Sequence, residues 1–124
     1  MRPVGAESLK NRAFRDRLGF ALAGLRTGWR RERSFRTQVL IGAAVVIALA
    51  VRGAPPFWWA VTALAIALVL ALELVNSALE ALVDHLHPEA HPEVRRVKDL
   101  AAGAVLVASI GAVIVAGLLV SRLI

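Results

Sequence analysis

The stretch Leu70-Ala-Leu-Glu73-Leu-Val-Asn76-Ser-Ala-Leu-Glu80-Ala-Leu-Val-Asp84 sets three carboxylates and an amide into an otherwise apolar run. As a helix, with Glu73 as origin, Asn76 falls at about 300°, Glu80 at about 340° and Asp84 at about 20°. The four share one stripe, and Leu74, Val75, Ala78, Leu79, Ala81, Leu82 and Val83 fill the remaining circumference. Acids at the end of a membrane span are expensive, so they face a partner, a cavity or water and mark function. The stripe therefore reads as a cation site where an apolar helix leaves a membrane.

Composition points the same way. A chain of 124 residues with 58% hydrophobic content is one unit too apolar for a soluble domain of this size. There is no cysteine, which excludes disulfides and a cysteine nucleophile. The net charge of +6 is unevenly placed, with 10 of the 15 Lys and Arg residues in the first 36 positions. That clustering in front of hydrophobic bulk suits an anionic lipid surface and not nucleic acid.

Three spans can be placed, giving an all-α integral-membrane fold. The first covers 37–51, about 22 Å, between Arg36 and Arg52, which can snorkel. Gly53-Ala54-Pro55-Pro56 then forbids helix continuation and can open the next helix. The second span covers 57–84, with Trp58 and Trp59 at one interface. Phe57 to Leu72 crosses about 24 Å, which leaves Glu73 at the opposite interface and Glu80 about 10 Å beyond it. The third covers 94–121, its apolar part running from Leu100 to Val120.

The arm and the Asp84–Asp99 connection hold 13 Lys and Arg, against 2 elsewhere. The positive-inside rule then puts the N-terminus in the cytoplasm and the C-terminus outside, in the cytoplasmic membrane. Ala48-Leu49-Ala50 imitates a signal-peptide cleavage site, but the basic region before it is too long for one.

Within the arm, Phe14, Leu18, Ala21, Leu22 and Leu25 repeat at helical spacing among Arg12, Arg15, Asp16, Arg17 and Arg26. This predicts an amphipathic surface helix over 11–31, behind a disordered tail over 1–10. The plainer alternative is a basic orienting tail.

Several chemistries are absent. There is no GxxxxGK[ST], GxGxxG, HExxH or CxxC. His85, His87 and His91 cluster in the connection, but two precede prolines and no cysteine joins them, so solvated loop histidines are favoured over zinc. Lys98 with Asp99 reads alone as an interfacial lysine beside an N-capping aspartate. Beside Glu73, Asn76, Glu80 and Glu32 of the arm, the same lysine completes a different set. Acids for Mg²⁺, a lysine for phosphates and a carboxylate base are what phosphoryl transfer needs.

The runs Glu73-Leu-Val-Asn76-Ser-Ala-Leu-Glu80-Ala-Leu-Val-Asp84 and Lys98-Asp99-Leu-Ala-Ala-Gly103-Ala-Val-Leu106 resemble the signature of prokaryotic diacylglycerol kinases, a family that includes undecaprenol kinases. Gly24-Leu25-Arg26, Trp29 and Glu32-Arg-Ser-Phe35-Arg36 are similar to its N-terminal segment, so the likeness covers about residues 11–121 without a gap. It implies a homotrimeric lipid kinase using Mg²⁺ and ATP, with active sites shared between subunits. By the same resemblance Glu73 is the catalytic base and Asn76 an active-site amide. Glu32 and Glu80 hold the metal, and Glu89, His91, Lys98 and Asp99 contact nucleotide. Two positions depart from the pattern: Ala13 stands where some members carry an arginine, and Gln38 where some carry an acid.

The spacing also allows oligomer contacts, because Ala104, Ala108, Ala112 and Ala116 recur every four residues; lipid-facing alanine explains them equally. The competing function is a small oligomeric transporter, whose acid belongs near the membrane midplane rather than at an interface. Diacylglycerol and undecaprenol both offer a primary hydroxyl at one depth, so the residues do not choose between them, although the His91-Pro92 and Lys98–Leu106 wording is closer to undecaprenol kinases.

Overall fold

The computed structural model describes residues 13–123. The tail expected over 1–10 and the first two residues of the expected surface helix lie outside them. Four helices follow one another: α1 (Phe14–Arg31), α2 (Arg33–Arg52), α3 (Pro56–Leu86) and α4 (Pro92–Leu123). The fold is all-α, and α2, α3 and α4 are each long and apolar enough to cross a membrane.

Each break has a local cause. Gly53 takes the left-handed φ of 63° that ends α2, and its N–H donates to Ala50 O at 3.2 Å. Pro56 then opens α3, where its fixed φ fits and no N–H is required. The Trp59 indole donates to Ala54 O at 3.2 Å and closes this turn. At the other end, helix α3 stops at Leu86, ahead of His87-Pro88, and α4 resumes at Pro92 with His91 Nδ1 accepting the Glu93 N–H at 3.1 Å. Asp99 therefore lies two turns inside α4 and does not cap it. Instead its carboxylate meets Arg95, one turn earlier, at 3.1 Å.

The joint between α1 and α2 is a single residue. Glu32 is extended, at φ −107° and ψ 102°. Its N–H donates to Gly28 O at 2.9 Å, and its own carbonyl accepts from Arg36 N at 3.1 Å. Arg36 also turns back, its guanidinium donating to Trp29 O at 2.9 Å and Arg30 O at 3.0 Å. It thus serves the last carbonyls of α1, a role that spacing alone had left to snorkelling.

Few large side chains are buried: Phe35, Leu49, Val69 and Leu119, with Ala108. Most long apolar side chains point outward, as expected where lipid is the solvent. Helix α3 is central, packing against both α2 and α4. The alanine stripe of α4 is used partly inside the protomer: Ala108 is buried, Ala112 and Ala116 are half-buried, and Ala104 is exposed.

Close approach is visible at Gly28, where an added Cβ would stand 2.7 Å from Leu74 Cδ2 and 3.4 Å from Phe35 Cδ1. Gly28→Val should destabilise the protein by about 1–3 kcal/mol through overpacking. Gly28→Ala should be nearly neutral, because helix propensity returns about 1 kcal/mol against a flexible leucine tip. Unfolding in detergent, followed by tryptophan fluorescence, would check the order.

Candidate active site

Glu73 is 5% exposed, a buried acid on an otherwise apolar length of α3. The Ser34 hydroxyl, in the first turn of α2, donates to Glu73 Oε1 at 2.8 Å. Among the described residues no Lys, Arg or His forms an ion pair with Glu73. One turn further on, Asn76 Nδ2 lies 3.4 Å from Glu80 Oε1, a long contact. Asn76 Oδ1 is buried and has no hydrogen-bond partner among the described residues, and an orphaned oxygen of this kind asks for a ligand, water or cation.

Glu32 and Glu80 are both half-buried, and neither forms an ion pair among the described residues. Glu32 thus does not neutralise Arg30, Arg31 or Arg33. These are hard oxygen donors without a cation. Among the described residues no three acids or histidines gather into a metal-binding group. Mg²⁺ requires no such group, since it usually takes one or two carboxylates and completes its shell with phosphates and water.

At the far end of the stripe, Asp84 reaches Lys98 Nζ at 2.6 Å and joins the end of α3 to α4. Asp84, Glu89, His91 and Lys98 line one open cavity of about 520 Å³, together with His87 and Arg95. The His87 and His91 rings meet edge to face at 5.5 Å. Asp99 is not on this lining and faces the outer side of α4 with Arg95, Arg96 and Gly103. A second cavity, about 260 Å³, lies between the three spans and is lined by no charged residue. Its polar groups are Gln38, Thr62 and Ser109, and Thr62 Oγ1 is buried without a partner.

The fold thus brings together Asp84, Glu89, His91 and Lys98, and separately Glu73, Asn76 and Glu80 along one face. Ser34, His87 and Arg95 are the additions. The two cavity residues could have been found from their nearness to Glu89 and Lys98. Ser34 had no such signal, because it stands 39 positions from its partner.

Comparison with known proteins follows the same lines. The family model described as "Prokaryotic diacylglycerol kinase" matches residues 19–120. A Synechocystis protein named diacylglycerol kinase is 42% identical over 101 residues, covering 81% of this chain and 58% of its own length. The diacylglycerol kinase of Escherichia coli K12 is 37% identical over 103 residues, covering 77% of this chain and 79% of its own. That of Pseudomonas aeruginosa PAO1 is 37% identical over 94 residues, covering 73% of each. The match takes in Glu32, the whole polar stripe of α3 and the Lys98 end of α4, and the chain belongs to the prokaryotic diacylglycerol kinase family.

Proposed function

We propose that this protein is an ATP-dependent lipid kinase, moving the γ-phosphate of ATP to the primary hydroxyl of a membrane lipid alcohol. One observation carries the reading: a buried carboxylate, Glu73, begins a polar stripe that ends at a lysine-lined cavity. The lipid hydroxyl arrives at the membrane interface and ATP from water, and the stripe runs between those two environments.

In this mechanism the lipid oxygen attacks the γ-phosphorus as the bond from γ-phosphorus to the β-bridging oxygen breaks, and ADP leaves. Glu73 takes the hydroxyl proton on the carboxylate oxygen that Ser34 does not engage. Asn76 orients the hydroxyl, and Lys98 offsets charge on the transferring group. Glu32 and Glu80 would hold Mg²⁺, which neutralises phosphate charge. Glu89 and His91 hold the nucleotide. Asp99 acts from outside the cavity, through Arg95, which lines it. A homotrimer would let neighbouring protomers complete a site that three helices leave open.

The relatives' names favour diacylglycerol as substrate. Undecaprenol is the second reading, on the wording of His91-Pro92 and Lys98–Leu106. Purified protein given γ-labelled ATP and each lipid in turn should place label in organic-extractable product with at least one of them. Label with neither would refute the kinase. A transporter would need an acid at the midplane, and the cavity between the spans offers none.

The basic residues support a cytoplasmic N-terminus and an outer C-terminus. Because the chain has no cysteine, single cysteines at Ala54 and Glu89 would be unique labels. An impermeant thiol reagent outside intact cells should reach Ala54→Cys and not Glu89→Cys. Labelling of both would end the topology, and the kinase with it.

A further inference from the structure

We propose that Ser34 is a positioning residue for Glu73, holding its carboxylate at the angle needed to receive the lipid proton; this rests on Glu73 being the base. The Ser34 Oγ to Glu73 Oε1 distance of 2.8 Å is that of a good hydroxyl–carboxylate bond. A glutamate side chain has three rotatable bonds, and among the described residues Glu73 has no ion pair to fix it. The hydroxyl of Ser34 supplies that restraint from another helix. It has a single proton to give, so it occupies one oxygen and leaves the other able to accept.

The place of Ser34 sharpens its role. It follows Glu32 by two residues, so the extended joint that presents Glu32 also sets the hydroxyl against Glu73. Phe35 beside it is buried, which anchors this turn of α2. Ser34 itself is exposed, so removing its oxygen opens no cavity and leaves the packing as it was. The effect of that oxygen should therefore appear in the chemical step rather than in folding or binding.

Wild type, Ser34→Ala and Ser34→Thr of the full chain would be compared in lipid–detergent micelles with ATP and whichever of diacylglycerol and undecaprenol the wild type phosphorylates. Melting would be followed by tryptophan fluorescence. Ser34→Ala should lower kcat by about 10–10²-fold, the scale of a misplaced catalytic group, with both KM values unchanged and the melting temperature lowered only by the loss of one hydrogen bond. Ser34→Thr restores the hydroxyl and should recover most of kcat. Wild-type kcat in Ser34→Ala overturns the inference alone. A loss that threonine does not restore assigns the effect to packing and overturns it too. A wild type inactive on both diacylglycerol and undecaprenol removes the kinase reading and this inference together.

Discussion

Glu73→Gln is expected to lower phosphate transfer to lipid by about 10²–10⁴-fold, the usual contribution of a general base, while nucleotide binding persists. The substitution keeps the side-chain shape, and its amide oxygen still accepts the bond from Ser34, which now reaches Glu73 Oε1 at 2.8 Å. What disappears is the second basic oxygen. The nucleotide end, where Lys98 pairs with Asp84, is untouched. Loss beyond this range would mean that Glu73 also orients the hydroxyl. The opposing account makes Glu73 a structural ion-pair partner, and no cation lies beside it among the described residues. A folded, ATP-binding, inactive variant supports the base; an active one removes it.

Glu80→Gln should act on the metal instead. Mg²⁺ relies on very few protein carboxylates, so losing one should raise the Mg²⁺ needed for half-maximal activity and cut turnover by about 10²-fold or more. Folding should survive, because the contact of Glu80 with Asn76 is long, at 3.4 Å, and Glu80 forms no ion pair among the described residues. A magnesium titration at saturating ATP reads the effect directly. An unchanged titration would place the metal elsewhere, on Glu32 or on the orphaned Asn76 Oδ1. Glu32→Gln should behave similarly, with the added risk of disturbing the α1–α2 joint, where Glu32 is the extended residue.

Much of this arrangement is legible in the sequence. Helical period alone put Glu73, Asn76, Glu80 and Asp84 on one face, because a long apolar helix leaves little choice of phase. Pro56, Gly53 and Pro92 marked their breaks by chemistry that acts over one or two residues. A capping role for Asp99, the plainer reading of Lys98-Asp99 taken alone, does not hold, because helix α4 starts two turns earlier, at Pro92. Polar residues extend a helix past its membrane length, and hydropathy does not see them. Ser34 was hidden for a different reason. Its contact joins two helices, and one chain carries no trace of such pairing. The Arg36 cap on α1 was equally invisible, since arginine before a span has an ordinary interfacial explanation.

The scarcity of buried side chains has a practical consequence. Each helix closes its backbone hydrogen bonds within itself, so helicity does not depend on the helices touching. Dissociating α2, α3 and α4 in a harsh detergent should leave far-ultraviolet dichroism almost unchanged while catalysis vanishes. Dichroism would then certify as native a preparation whose helices have already drifted apart. Catalysis is the better witness, because it needs the bond by which Ser34 of α2 reaches Glu73 of α3 at 2.8 Å.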